Sequence, residues 1–447
     1  MQQVNAVILA AGQGTRMKSE KHKVLHSIGG KAMIHHVLDS LSALDLKKSI
    51  MIVGAKREQV EAAVSGAEFV VQEPQLGTGH AVQCAEGALK GHQEPTFVLC
   101  GDVPLVKPET IAKMYHALME GDNRPAVVVL GFRADDPKRY GRLKLGDNGD
   151  LDAIIEYKDA SDDERAINLC NSGLMVFDGA RLFDLLAALS NDNAAGEYYL
   201  TDAIAIAKSK GCRAVVVEAE DEFEVMGVNS RAELAVAENV FQNRKRQEAM
   251  ADGVTLLDPS SVYFSYDTQL AADVVVEQNV VFGPNVKVAA NAWVRAFSHL
   301  EGAQVGEGCE IGPFARLRPG AELHQSAKVG NFCEVKKSTI EQGAKVNHLT
   351  YIGDARVGAK ANIGAGTITC NYDGFNKSKT DIGAGAFIGS NSSLVAPVKI
   401  GDGALVAAGS VITKEVEADA LAIVRADQQS KQGWAAKFRA AQMKKKK

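Results

Sequence analysis

A chain of 447 residues with 46% hydrophobic and 23% charged side chains has the composition of a globular protein and is too long for one ordinary core, so two domains of about 200 residues each are expected. A formal net charge of −5 provides no general polyanion-binding surface and speaks against nucleic acid as a partner. Seven scattered cysteines, Cys84, Cys100, Cys170, Cys212, Cys309, Cys333 and Cys370, include no C-x-x-C pair, which argues against a disulfide framework or a zinc site and for free thiols in a reducing cytoplasm.

The first ten residues lack the basic and long apolar regions of a signal peptide. No apolar run elsewhere approaches the roughly 20 residues of a membrane span, so a cytoplasmic protein without membrane insertion is expected. Through about residue 228, β-branched runs at 4–9, 49–53, 96–99 and 127–130 alternate with amphipathic stretches. That alternation predicts an α/β domain with a mostly parallel sheet covered by helices.

After the first run stands Leu9-Ala10-Ala11-Gly12-Gln13-Gly14-Thr15-Arg16-Met17, followed by Lys23. Glycines at this place let backbone N–H groups approach phosphate oxygens, and Arg16 and Lys23 would bring full charges to a triphosphate. The segment is neither a Walker loop nor a dinucleotide fingerprint, and two glycines after a strand also suit a plain tight turn. A second glycine-rich turn, Gln72-Glu73-Pro74-Gln75-Leu76-Gly77-Thr78-Gly79-His80, can read base edges with backbone and amide groups. In Gly101-Asp102-Val103-Pro104 a carboxylate follows a buried strand, placed either to hold a metal or to cap the next helix.

Leu234, Ala237, Val240 and Phe241 fall at helical spacing and predict a linking helix over 230–250. The domains are then 1–229, the linker, and 251–447. Beyond the linker an apolar residue recurs every sixth position, as in Val276, Phe282, Val288, Val294 and Leu300, then Val305, Ile311, Leu317, Leu323, Val329 and Val335, and on to Ile412. A period of six fits short strands joined by tight turns, with one apolar side chain per repeat stacked inside a β-solenoid. Glycine often follows the apolar residue, as in Val329-Gly330 and Ile388-Gly389, and is expected to relieve the corners. The period fails between Ile363 and Ile382, a stretch too polar to carry the stack, which reads either as a functional insertion or as a tolerated surface loop. The run Lys444 to Lys447 reads as a solvated, disordered tail.

The combination of L-A-A-G-x-G-T-R-M, a following lysine, Q-L-G-T-G-H-A, G-D-V-P and hexapeptide repeats resembles the bacterial bifunctional N-acetylglucosamine-1-phosphate uridyltransferase / glucosamine-1-phosphate N-acetyltransferase family. The likeness extends through Gly-Glu-Tyr-Tyr-Leu-Thr-Asp (196–202), Gly-Val-Asn (227–229), Arg316-Leu-Arg-Pro-Gly, Asn347-His-Leu-Thr-Tyr and Gly364-Ala-Gly-Thr-Ile-Thr-Cys-Asn-Tyr-Asp-Gly. It implies a Rossmann-like nucleotidyltransferase domain and a C-terminal left-handed parallel β-helix of hexapeptide repeats. It also implies a homotrimer and the substrates acetyl-CoA, glucosamine 1-phosphate and UTP, with UDP-N-acetylglucosamine as product.

By resemblance, Leu9, Ala10, Ala11, Gly12 and Lys23 meet the nucleotide and its phosphates, and Gln72, Gly77 and Thr78 recognise uracil. Gly141, Glu156, Asn171 and Asn229 form the sugar side, and Asp102 and Asn229 are the expected Mg²⁺ ligands. In the solenoid, His348 would be the general base by resemblance, although a histidine among repeats taken alone is more often structural. Arg318, Lys336, Tyr351 and Asn362 would hold the amino-sugar phosphate, and Ala365, Asn371, Tyr372, Ser390, Ala408 and Arg425 would hold acetyl-CoA. One departure stands out: relatives commonly have proline before the phosphate-facing lysine, and here His22 precedes Lys23, which removes a fixed φ. Two other readings compete, a single-function nucleotidyltransferase with an assembling solenoid and a non-enzymatic scaffold.

Overall fold

The computed structural model describes residues 3–137, 140–193 and 195–445, and the chain divides into two compact units between Arg244 and Lys245. In the first unit, nine strands form one sheet: β1 Val4–Ala10, β2 Leu46–Val53, β3 Glu68–Val71, β4 Thr96–Cys100, β5 Val127–Arg133, β6 Arg142–Leu145, β7 Leu151–Ile155, β8 Leu169–Phe177 and β9 Ala214–Glu218. The main path runs β9-β5-β8-β4-β1-β2-β3. Along it β8 alone is antiparallel to its neighbours, so the sheet is mixed but mostly parallel. The apolar runs behave as strands buried on both faces must: Val127 to Phe132 are all buried, and odd and even positions of β1 feed separate cores on the two faces. The carboxyl ends of β1 and β4 lead into the first glycine loop and into Gly101-Asp102, the edge where open α/β sheets bind ligands.

A single helix, Arg231–Ala251, covers the expected linker and contains the division between the units. Ser230 and Glu233 cap its start reciprocally, the serine hydroxyl accepting from Glu233 N and donating to the glutamate carboxylate. Its apolar stripe is the one read from spacing: Ala237 is buried with Ile28, Met33, Leu105 and Val228, and Leu234, Val240 and Phe241 pack against that cluster.

The second unit is a parallel β-helix of short strands stacked in three sheets of ten, eight and eight. Every periodic apolar residue, from Val276 to Ile412, lies in one continuous core, and burying each such side chain is worth about 1.5–3 kcal/mol. A second inward column stands two residues before it: Ala292, Ala303, Cys309, Ala315, Ala321, Ala327, Cys333 and Ala344 are buried. In the first coils the same column is filled by the larger Val274, Val280 and Val286. The sequence carried this alternation of small and large, but the reading above used only the large member.

The glycines after the apolar positions do different work from that expected. Most have ordinary φ, and the left-handed corners fall elsewhere, at residues such as Asn279, Asn285, Phe314 and Gly343. What these glycines provide is close approach of successive coils, since a Cβ on Gly330 would lie 2.1 Å from the Asn347 carbonyl oxygen and one on Gly389 2.3 Å from Ala408 N. The polar stretch after Ile363 also needs correction, because Ile368–Cys370 is a strand in register with Ser393–Val395. Thr369 there is 1% exposed and takes the place of an aliphatic residue. Its hydroxyl is satisfied inside, accepting from Gly353 N at 2.8 Å and donating to the Gly353 carbonyl, so burial carries no unpaired polar group. The departure from the coil is therefore shorter than expected and lies between Cys370 and Thr380, where Tyr372 and Lys377 form a small antiparallel bridge.

The expectation of a disordered lysine tail fails for Lys444 and Lys445, which end the helix Trp434–Lys445; Lys446 and Lys447 lie outside the described residues. Trp-Ala-Ala-Lys-Phe-Arg-Ala-Ala-Gln-Met is rich in strong helix formers, and the rings of Trp434 and Phe438, one turn apart, stack at 5.3 Å. All seven cysteines are free. Among the described residues no helix is long and apolar enough to cross a membrane.

Candidate functional site

In the first unit the chain folds three distant segments onto one cation. Lys23 Nζ donates to Asp102 Oδ2 at 2.6 Å and to Asn229 Oδ1 at 3.0 Å. Val228 N donates to the Asp102 carbonyl at 2.8 Å, which fixes Gly-Val-Asn beside the Asp102 turn. The alternative role for Asp102 is excluded, since the next helix, Pro108–Met119, takes Lys107 as its cap residue. Gly14 has φ +62, and a Cβ there would lie 2.6 Å from Lys23 Cβ, so glycine is needed both for the turn and for the lysine stem to pass. Arg16 is exposed. Two residues not singled out from sequence brace this loop. Arg231 donates to the Met17 carbonyl and meets His26 Nδ1 at 3.2 Å, and Gln75 Nε2 donates to the Ala11 carbonyl.

His22 sits at φ −56, which is the angle a proline would fix. The imidazole is 1% exposed and its Nδ1 accepts from Val24 N, while the His22 backbone N–H donates to Gln59 Oε1 at 2.8 Å, a bond proline could not make. The backbone angle of the loop is thus proline-like without proline. Burial, reinforced by Lys23 and Lys56, holds His22 below its ordinary pKa, and burial does the same first of all to His26 and His36. A depressed histidine binds protons more weakly folded than unfolded, so its contribution is complete above the ordinary value of 6.5 and is lost as pH falls below it. The thermal midpoint of the first unit should therefore drop between about pH 7.5 and about pH 5.5, and drop less in His22→Asn. Calorimetry at several pH values checks this, and equal slopes for the two proteins would refute the role of His22.

The second glycine turn and the 196–202 segment are locked together. Gly79 N donates to the Tyr198 carbonyl, Tyr198 N to the Leu76 carbonyl, and Leu200 N to Thr78 Oγ1 at 3.1 Å. Gln72 is buried and donates to the Gly77 carbonyl at 2.9 Å. From the same segment Thr201 donates to Glu156 Oε1 at 3.3 Å, and burial pushes the Glu156 carboxyl up in pKa. Gly141 accepts from Asn171 N at 2.9 Å, which brings those two sugar-side candidates together. Gly77 has φ +111 and its added Cβ would meet the Tyr198 carbonyl oxygen at 2.6 Å. If this turn belongs to the nucleotide site that the resemblance implies, Gly77→Ala should displace the 196–202 segment and raise KM for the nucleotide by about tenfold, a loss of roughly 1.4 kcal/mol; an unchanged KM would show that it does not.

In the solenoid, one edge carries five of the eleven remaining candidates, coil above coil. Asn331 is in register with His348. Next, the His348 carbonyl accepts from Gly366 N, the Ala365 carbonyl from Asn391 N, the Ser390 carbonyl from Gly409 N, and the Ala408 carbonyl from Arg425 Nη1 at 2.7 Å. His348, Ala365, Ser390, Ala408 and Arg425 therefore line one edge in that order. Arg318, Lys336 and Tyr351 gather on a different sheet, where Arg318 donates to Glu334 Oε1 at 2.7 Å and Glu334 is paired with Tyr351. Buried Asn371 joins that group, meeting the Tyr351 hydroxyl at 3.5 Å. Asn362 is not brought there; it lies on the sheet that contains His348, between Lys345 and Phe387. Tyr372 is exposed on the loop between Cys370 and Thr380.

Comparison with known proteins agrees with both halves. The family model described as MobA-like NTP transferase domain matches residues 6–210. The bacterial transferase hexapeptide model matches residues 379–414, a small part of the repeats seen in the structure. Proteins named bifunctional protein GlmU are similar over nearly the whole chain. The one from Zymomonas mobilis is 56% identical over 447 residues, covering 99% of this chain and 98% of that protein. The one from Rhizorhabdus wittichii is 60% identical, covering 98% and 96%, and the one from Agrobacterium fabrum 53%, covering 97% and 96%. With a nucleotide-type loop edge in one unit, a hexapeptide solenoid in the other and this likeness along both, the chain belongs to the family of bifunctional GlmU proteins.

Proposed function

We propose that this chain makes UDP-N-acetylglucosamine in two steps, acetylating glucosamine 1-phosphate from acetyl-CoA and then transferring uridylyl from UTP to the N-acetylated sugar phosphate. It is a bifunctional transferase. Residues 251–447 serve the first step and residues 1–229 the second, with 230–250 as the link between them. The observation that carries the reading is the solenoid edge on which His348 is followed, coil by coil, by Ala365, Ser390, Ala408 and Arg425. An assembly module has no need of a histidine at the foot of a rail of small residues.

In acetyl transfer, His348 takes a proton from the sugar amine as the amine nitrogen bonds to the thioester carbon. The carbon–sulfur bond breaks and CoA leaves as the thiol with that proton. A neutral imidazole suits this task near neutral pH. Arg318 and Lys336 supply the charges for the sugar phosphate. In uridylyl transfer, a phosphate oxygen of the sugar attacks the α-phosphorus of UTP and pyrophosphate leaves, so the protein supplies position and charge neutralisation. Lys23 and Arg16 bring positive charge, Gln72, Gly77 and Thr78 face uracil, and the N-acetyl sugar lies toward Gly141, Glu156, Asn171 and Asn229.

Asp102 and Asn229 suit a hard divalent cation, because their oxygens already converge on one positive charge, the Lys23 ammonium. When bound, Mg²⁺ would screen the triphosphate, with these two residues as its protein ligands.

Assembly as a homotrimer is supported by a ridge beside His348, where Phe297, Phe314 and Phe332 stack at 4.9 and 5.1 Å and remain about half exposed together with Leu349. It is also supported by Asn362, which within one copy lies on a different sheet from Lys336, as a site completed by a neighbouring copy would have it. Free thiols fit a cytoplasmic location. Release of CoA thiol and of pyrophosphate, each with its own substrates and from one preparation, tests the proposal. Absence of acetyl transfer in folded protein would leave only the uridyltransferase.

A further inference from the structure

The edge that carries His348 holds a second polar side chain outside the set drawn from resemblance. Asn331 ends the strand Lys328–Asn331, directly in register with His348 at the end of Lys345–His348. Successive coils approach closely here because Gly330 has no side chain, and the Asn331 carbonyl accepts from Leu349 N at 3.0 Å, which fixes the backbone on both sides. Asn331 Oδ1 then lies 2.8 Å from His348 Nδ1. Both residues line a cavity of about 360 Å³ together with Arg295, Glu310, Lys328 and Asn347.

An amide oxygen only accepts, so this bond requires the proton on Nδ1 and leaves the lone pair on Nε2. His348 is exposed, so packing does not hold its ring. Among the described residues the bond to Asn331 is the one that sets its rotation. A carboxylate in this place would favour the imidazolium and raise its pKa. The neutral amide orients the ring without adding a charge beside it.

We propose that Asn331 is a positioning residue for acetyl transfer, fixing the tautomer of His348 and aiming Nε2 at the amine of the sugar. The proposal rests on the reading of His348 as the base.

The test measures kcat, KM and the pH profile of CoA release for Asn331→Leu, Asn331→Asp and His348→Ala, with pyrophosphate release from the other unit as the folding control. In Asn331→Leu, kcat should fall about 10–100-fold, by analogy with the loss seen when the orienting partner of a metal-bound histidine is removed, with both KM values little changed. In Asn331→Asp the acceptor is kept, so activity should persist with the acid limb of the kcat profile moved to higher pH by about one unit. A group with a merely structural role would not move that limb. If His348→Ala is inactive while both Asn331 variants keep the unmodified kcat and profile, the positioning role is wrong and the base assignment survives. If His348→Ala remains fully active, the base assignment itself is wrong, and the proposal for Asn331 goes with it.

Discussion

Acetyl transfer should fall by about 10²–10⁴-fold in His348→Ala, the range that a positioned general base contributes, while pyrophosphate release stays at the unmodified rate. The argument is geometric. His348 stands at the foot of the edge formed by Ala365, Ser390 and Ala408, with its ring held by Asn331. Its side chain is exposed and absent from the solenoid core, so removing the ring leaves no cavity and the coil stack should be intact. A thiol-release assay with acetyl-CoA and glucosamine 1-phosphate reads the result directly. A fully active variant would mean that the amine loses its proton to another group and that the edge serves binding only.

The second large effect is expected at Asp102. Uridylyl transfer should fall by at least about 10²-fold in Asp102→Ala, comparable with the removal of one preorganised electrostatic group from a reacting centre, and acetyl transfer should persist. Asp102 and Asn229 converge on Lys23, so the substitution removes the only carboxylate of that trio and leaves the lysine directed by a neutral amide. Asp102→Asn separates charge from shape, since it keeps an acceptor for Lys23 but lowers the negative charge facing a cation. It should resemble the alanine variant in rate if the charge matters, and the unmodified protein if only the hydrogen bond does. Pyrophosphate release at varied Mg²⁺ concentration distinguishes the two. Loss of acetyl transfer in the same variants would contradict independent sites.

Particular residues show why some of this was readable in advance and some was not. The six-residue spacing placed Val276 through Ile412 in the core because a stacked coil repeats one environment per side, and a linear pattern records such an environment faithfully. The linker stripe of Leu234, Ala237, Val240 and Phe241 was legible for the same reason. Thr369 was misread because hydropathy does not reveal that a hydroxyl will find Gly353 on the neighbouring coil. The glycines after the apolar positions were given to corners, when their purpose is contact between successive coils, as between Gly330 and Asn347 or Gly389 and Ala408. Arg231, Glu334 and Asn331 carried no local signal, and Gln75 and Thr201 stood in quoted motifs without a role, since each acts on a partner brought to it by folding.

The sequence by itself determined the two architectures, the phosphate-type loop and, through resemblance, the identity of the candidate residues, because local period and short motifs are properties of neighbours along the chain. Tertiary structure alone decided which candidates meet. It joined Lys23 to Asp102 and Asn229, set Asn331 against His348, held His22 at a proline-like angle through Gln59, and put Asn362 on a different sheet from Arg318. These are contacts between residues 17 to 206 positions apart, and their geometry follows from sheet order and coil register, which no short window of sequence contains.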